Sequence, residues 1–600
     1  MRRPIAPKPG VVGTLLGLVL LGACTTPVQT AGPATPSATT ATATGTGTPS
    51  PTTSPVERAP LVVEAAFDFT SLDPRELVER SGLLVADATY ETLTTLDPED
   101  PTNVLPGLAE WTMSPERNWL TLRLRPDATF SDGSRVTSDD VIFTLARARA
   151  LGGTAAKLLG PVGFTKVDDR TLTVTVPGPD FALPALLANP AFGILNSDVV
   201  TEHGGATGPG DTAGSWLSWN SAGSGPYVVA EVDRGRTIRL EPNPHWDGPA
   251  PTFPAVIVRN ATPAQQVRDI ESGAADVVLD LPPDHADAMK LRPKVSSVAI
   301  TSQTSAALTF LLLNDDAGVS EWTGNPDFAR AVRLGLDVDA LARLAGPGAV
   351  PALGLVPRGL PGAFEPPAPQ PSAEPTDVPT ATGGPTATSS TSPATPTAPA
   401  TSTPSPTATP EPGPATTPTA PPARDLPAAK AALKRSGYRG QPIRLSWADD
   451  RPVNGIDLAS VARAVRAQLK RVGIRVVLAP APIQKAWADY EKGSTAMGLW
   501  AWSPEYAEPE AALAFAPGGH VGHRARSVRG VSSVLDTLTE QARTSYGDDR
   551  PQAFARWQLE MARTGSFVPL FQPAAHTAHG ERVTAVPRTP IGSVDLAGIR

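Results

Sequence analysis

Apolar and polar positions repeat along this chain with two different periods. Trp119-Leu120-Thr121-Leu122-Arg123-Leu124-Arg125 and Thr171-Leu172-Thr173-Val174-Thr175-Val176 alternate at every second position, the period of a half-buried strand. Leu458, Val461, Val465, Leu469 and Val472 recur at helical spacing, and Gly473 stops them. Thr137-Ser138-Asp139-Asp140 before Val141-Ile142-Phe143 has the form of a capping box, so a helix is expected to start there. Further strands are expected near 61–65, 227–232, 308–313, 443–447, 474–478 and 567–571. Further helices are expected from residue 75 to about 93, and near 430–437, 531–546 and 550–562. Asp337 or Asp339 can cap one more. Strands and helices mixed in this order predict an α/β or α+β fold with antiparallel pairs.

One stretch concentrates unusual side chains: Met497-Gly498-Leu499-Trp500-Ala501-Trp502-Ser503-Pro504-Glu505-Tyr506-Ala507-Glu508-Pro509. Trp500 and Trp502 alternate with small residues and share one face of a strand. Ser503-Pro504 ends that strand, and Glu505 follows beside Tyr506. Two readings stand together. The tryptophans are a buried pair with a solvated turn after them, or the strand delivers an aromatic wall and an anion to a ligand.

Little else offers chemistry. There is no Gly-x-Ser-x-Gly elbow, no phosphate-binding Gly-rich loop and no His-Glu-x-x-His. His520 and His523, like His576 and His579, are three apart without a third ligand nearby in sequence. No enzyme activity, metal or cofactor is expected. Asp132-Gly133 reads as a turn.

Composition divides the 600 residues. Two tracts hold many of the 68 prolines and almost no charge. Thr25 to Val56 has no charged residue, and Pro366 to Ala423 has only Glu374, Asp377 and Glu411. Such Thr/Pro/Ala tracts bury too little apolar surface to offset their ordering entropy. The first is expected to be a tether that reaches on the order of 100 Å when extended. The second is expected to be a disordered insertion in a surface loop, which costs little because closure entropy grows only logarithmically with length. Net charge is −8 and no basic stripe is present, so nucleic acid is not an expected partner. The N-terminus carries Arg2, Arg3 and Lys8, then an apolar run from Val11 to Leu21 that is too short to span a bilayer. It ends at Leu21-Gly22-Ala23-Cys24, and Cys24 is the single cysteine. These four residues resemble a bacterial lipobox. The resemblance implies a signal peptide over 1–23, a lipidated Cys24 and an extracytoplasmic protein held at a membrane.

A wider resemblance rests on eight short runs in order. They are Leu72-Asp73-Pro74, Tyr90-Glu91-Thr92-Leu93, Leu105-Pro106-Gly107-Leu108-Ala109-Glu110-Trp111, the run from Leu122 to Gly133, the run from Thr137 to Phe143, Gly223-Ser224-Gly225-Pro226-Tyr227, Leu240-Glu241-Pro242-Asn243-Pro244-His245-Trp246, and the run from Ile270 to Asp276. With them the chain resembles the family 5 solute-binding proteins of peptide-type ABC importers. That resemblance implies a type II periplasmic-binding-protein-like α/β fold, with two lobes, an extra domain and mixed sheets. The expected divisions are a tether over 24–60; lobe I from 61–92, 200–303 and 565–600; an extra domain over 93–199; lobe II from 304–365 and 424–564; and the insertion over 366–423. The family encloses a peptide between its lobes for delivery to a permease, and holds the ligand's α-amine with an acidic residue. By position that residue is Glu505, in place of the usual aspartate, with Trp502 as wall. Trp502, Glu505, Tyr506, Phe67 and Asp68 are the expected ligand-binding set. Pro504 departs from the family pattern, and no arginine precedes Trp500 to take a ligand carboxylate. A second class of protein on this scaffold, a non-transport lipoprotein acting in cell-envelope biosynthesis, is the alternative.

Overall fold

The computed structural model describes residues 58–67, 71–77, 80–179, 182–290, 298–365, 420–421, 424–530, 532–589 and 593–600. The readings made on Cys24, on the tether and on Asp68 fall outside these residues, as does nearly all of the insertion. From Arg58 to Arg600 the chain forms one compact unit. Among the described residues no helix is long and apolar enough to cross a membrane.

Two mixed sheets organise it. The first has seven strands in the order Ala299–Thr304, Ala574–His579, Val277–Val278, Leu61–Ala65, Val256–Asn260, Thr237–Pro242, Tyr227–Asp233. The second has six, in the order Val350–Pro351, Phe567–Gln572, Leu308–Leu313, Met497–Trp502, Ile443–Ala448, Val476–Ala481. A four-stranded antiparallel sheet, Ala109–Met113, Trp119–Leu124, Thr171–Thr175 and Gly163–Asp168, builds the extra domain. The mixed α/β architecture is that expected from the sequence.

Strand alternation shows why the six-stranded sheet is covered on both sides. Leu308, Phe310 and Leu312 face one apolar cluster, while Leu311 and Leu313 face another. The first cluster is shared: it contains Leu120, Leu122 and Leu172 of the extra domain together with Trp500, Trp502 and Phe515. The neighbouring strand repeats the pattern, with Met497 and Leu499 on the opposite side. Fully buried central strands of this kind read as continuous apolar runs.

The two sheets are joined by two adjacent crossovers. Ala299–Thr304 pairs with Ala574–His579 in the first sheet, and Leu308–Leu313 pairs with Phe567–Gln572 in the second, both antiparallel. Between them Ser305 N donates to Pro573 O at 2.8 Å, and Gln572 Nε2 donates to Ser305 O at 3.1 Å. Phe567–Gln572 therefore belongs to the second sheet. The chain returns to the first at Pro573, later than the boundary at 565 expected from sequence.

Several boundaries differ for local reasons. The helix expected from residue 75 to 93 is a short 3-10 turn at Pro74–Glu76 and a helix at Arg80–Thr89. Leu77 breaks it by leaving helical geometry (φ −86°, ψ 80°) to bury its side chain. The strand expected at 474–478 runs instead over Val476–Ala481, because Ile474 turns into the core after Gly473, whose φ of 111° favours glycine. Asp337 is the cap of Val338–Leu344, its carboxylate accepting from Ala340 N. Thr137 and Asp140 form the capping box.

A buried arginine ties the extra domain to lobe I. Arg147, on the helix Ser138–Leu151, donates Nη1 and Nη2 to Asp73 at 3.1 and 2.8 Å and Nε to Asp211 at 2.7 Å. A second polar group is less well served. Asp87 Oδ2 and Tyr227 Oη are enclosed without hydrogen-bond partners. Burial, with the charge of Asp595, pushes the Asp87 carboxyl up to about 8. A carboxyl raised in the folded state contributes stability below its unfolded pKa of about 3.9, and this is lost as pH rises through about 8. Asp87→Asn is therefore expected to raise the melting temperature at pH 8 and to leave it nearly unchanged at pH 4. An equal shift at both pH values would count against a buried, protonated Asp87.

Candidate functional site

The crossovers form the floor of a cavity of about 370 Å³. Thr304, Ser305 and Gln572 of the crossovers line it together with Pro98 and Pro101 of the 97–103 turn, Arg358, Pro504 and Tyr506. Both sheets contribute, so any rotation about the crossovers changes the cavity. A second cavity of about 570 Å³ lies across Tyr506, with Glu505, His520, His523, Glu510 and Lys157 in its wall. Tyr506, only 9% exposed, borders both.

Glu505 is held, not loose. The strand Met497–Trp502 ends at the tryptophan, and the Ser503-Pro504 turn carries the carboxylate back over the ring. Trp502 Nε1 donates to Glu505 Oε1 at 3.2 Å, and His520 Nε2 lies 3.1 Å from the same oxygen. The main-chain carbonyl of Glu505 accepts from Asn189 Nδ2 of the extra domain. Glu505 Oε2 is buried and has no partner. The carboxylate is therefore largely withdrawn from water. Its side chain is 15% exposed, and the indole N–H and the imidazole replace water. What remains is one enclosed acceptor oxygen that meets no protein donor.

The turn is braced from behind. Glu508 caps the 3-10 helix Pro509–Phe515 and takes Arg550 Nη2 at 2.6 Å, while Glu510 lies 3.3 Å from the same nitrogen.

The expected ligand-binding residues are distributed unevenly. Trp502 is 7% exposed, packs edge-on against Phe515 with ring centroids 5.0 Å apart, and lines neither cavity. It orients Glu505 instead of forming a wall. Trp500 stacks on Tyr490 at 4.1 Å in the same core. Phe67 is buried in lobe I beside Leu61 and Val63, with its backbone tied to Asn260, and lines neither cavity. Glu505 and Tyr506 are brought together. Sequence reasoning missed Asn189, far from Glu505 along the chain, and Arg358. It weighed His520 only as half of a metal pair. Among the described residues no cluster of three His, Cys, Asp or Glu could hold a metal.

Arg358 places a cation in the lining of the first cavity. Its backbone N–H donates to Gln572 Oε1 at 2.8 Å, which pins it over the crossover, and its Nε is enclosed without a partner. Trp502→Phe keeps the ring packing and removes one donor to Glu505. It should cost about 1 kcal/mol, read as a shift of the urea midpoint, and a shift no larger than experimental error would mean the indole N–H is unimportant there.

Known proteins share this framework. The Escherichia coli protein named probable D,D-dipeptide-binding periplasmic protein DdpA is 28% identical over 287 residues, 47% of this chain and 54% of that protein. The chain spans about half the length of the curated relatives it matches. The solved structure of the binding protein DppA from Helicobacter pylori with the peptide STSA has a TM-score of 0.69 at 18% identity, and the match covers 90% of this chain and 96% of that one. NikA from Staphylococcus aureus with Ni(L-His)2 has a TM-score of 0.67 at 14% identity, covering 90% and 99%. The same fold thus holds a peptide in one neighbour and a metal chelate in another, and shows architecture alone. Residues 103–519 match the family described as bacterial extracellular solute-binding proteins, family 5 (middle), and with two lobes crossed by paired strands over a central cavity, the chain belongs to that family.

Proposed function

We propose that this protein captures a peptide, or a related solute bearing an amine and a carboxylate, between its two lobes and hands it to an ABC importer. The observation that carries the reading is the pairing of unpartnered groups across Tyr506: the enclosed Glu505 Oε2 on one side and the enclosed Arg358 Nε on the other. One would take the ligand's amine and the other its carboxylate. Buried polar groups left unpaired are costly, so a ligand that pairs both gains from each. The printed names of relatives, DdpA and DppA among them, agree with a peptide-like solute. Cys24 would carry a lipid anchor, with the Thr/Pro/Ala tract holding the lobes away from the membrane; catalysis plays no part.

Purified protein should yield co-purifying peptides by mass spectrometry. Adding a binding dipeptide at a hundredfold excess over its Kd should stabilise it by about 2.7 kcal/mol. If no peptide raises the melting temperature and nothing co-purifies, the reading fails. The burial of Trp502 favours the alternative, a non-transport lipoprotein with a closed cleft, and the same titration decides between them.

A further inference from the structure

A second unpartnered arginine lies away from the cleft. The helix Pro326–Gly335 buries Phe328, Ala331 and Val332 and places Arg333 in its last turn. Arg333 is half-buried, but its Nε and Nη2 are fully enclosed and neither has a hydrogen-bond partner. Burial, with the neighbouring charge of Arg330, lowers its pKa to about 10, so it remains a cation at neutral pH. The carboxylates nearby do not serve it. Asp337 is engaged by Arg424 at 3.1 Å and by Ala340 N, and Asp339 forms no ion pair with Arg333.

Arg333 lines a cavity of about 110 Å³ with apolar walls from Leu336, Leu355, Ala562, Phe567 and Val568, and with Asp339, Arg424 and Gln558 also on its border. This is distinct from the cleft. Val350, Arg358 and Leu360 face the cleft, whereas Ala352–Leu355, within the same segment, face Arg333. The bland explanation is a cation resting near the carbonyl end of the helix Asp549–Thr564, since a Cβ at Gly565 would lie 3.7 Å from Arg333 Nη2. That end offers attraction but no hydrogen bond to either enclosed nitrogen. A buried cation without an anion is unfavourable, and here an apolar space adjoins it.

We propose that this cavity is a second ligand site, which takes a small aliphatic carboxylate with its anionic end on Arg333 and its chain against Leu355 and Phe567. The size argues for a short chain: a cavity of about 150 Å³ accommodates benzene, so this one suits an acid of about four carbons. The inference does not depend on what the inter-lobe cleft binds.

The test uses the full chain with butyrate, butyramide and inorganic phosphate as probes, read by calorimetry and by shift of the melting temperature. Butyrate should raise the melting temperature saturably, and butyramide and phosphate should not. Arg333→Leu should weaken butyrate binding at least about tenfold and raise the melting temperature of the unliganded protein, because it replaces an unpaired buried cation with an apolar group. Ala562→Leu, which fills the cavity and spares the charge, should also abolish the butyrate response. Glu505→Gln should leave that response intact, so a failure of the cleft reading and a failure here are told apart. Equal effects of butyrate and butyramide, or a butyrate response that survives Arg333→Leu or Ala562→Leu, would overturn the proposal. Should Arg333→Leu not fold, the Ala562→Leu variant and the three probes on the native chain still decide.

Discussion

Arg147→Met is expected to destabilise the protein by about 3–5 kcal/mol, measured from the urea midpoint. The side chain is 1% exposed and makes paired hydrogen bonds to Asp73 and Asp211, themselves 0% and 5% exposed. Removing it leaves two enclosed carboxylates with only Arg75, whose Nε lies 3.2 Å from Asp73 Oδ2, as a nearby cation. The loss comes less from the missing attraction than from the uncompensated charge left behind. The triple variant with Asp73→Asn and Asp211→Asn should therefore recover a large part of the loss. A single-variant effect below about 1 kcal/mol, the range of exposed pairs, would show that the carboxylates reach water. The same network sets an acid limit. Burial pushes the Asp211 carboxyl up, but the hydrogen bonds and charge of Arg147, with the Ala206 N–H, outweigh it and hold the pKa below the ordinary value. The sign follows from the depressed pKa: the contribution is present above the unfolded value of about 3.9 and is lost as pH falls through the folded one. Arg147→Met should remove this part of the acid sensitivity.

Glu505→Gln should weaken free-amine peptides by about 1.5–3 kcal/mol, or about 10- to 150-fold in Kd, and N-acetylated peptides far less. The amide keeps the shape and can still accept from Trp502 Nε1, but it cannot offer a charged oxygen where Oε2 now stands unpartnered. Isothermal titration with matched free and acetylated dipeptides reads the difference. Equal weakening of both would reject the amine anchor and leave Glu505 as a brace for Trp502 and His520.

Much of the fold was legible in the chain because it rests on local periodicity. The alternation at 119–125 and 171–176, the helix face from Leu458 to Val472 and the box at Thr137 all report contacts made within a few residues. Glu505 and Tyr506 were visible for a similar reason, since a tryptophan strand, a Ser-Pro stop and a carboxylate are adjacent in sequence. Trp502 shows the limit. Alternation places its ring on a face but does not say whether that face meets a ligand or Phe515, and packing decided for Phe515. Phe67 failed in the same way. Asn189 and Arg358 carried no local signal at all: each reaches the site through a contact between segments more than 200 residues apart along the chain. The crossover at Pro573 was also out of reach, because apolar strands of either sheet look alike until pairing assigns them.

The paired crossovers bear on how the protein comes into being. Ala574–His579 lies inside the first sheet, between Ala299–Thr304 and Val277–Val278, although the sheet opens with Leu61–Ala65. During synthesis the strands from Leu61 to Val278 can pair with one another, but Ala299–Thr304 must wait for a segment near the far end of the chain. Lobe II, which both leaves and rejoins at Ser305 and Pro573, can condense first as an inserted unit, bringing the late strand back to its slot. A chain that stops before Ala574 would keep every residue around Glu505 and still lack the strand that joins Ala299–Thr304 to the rest of the first sheet. Recognition in this molecule is the last thing to be assembled.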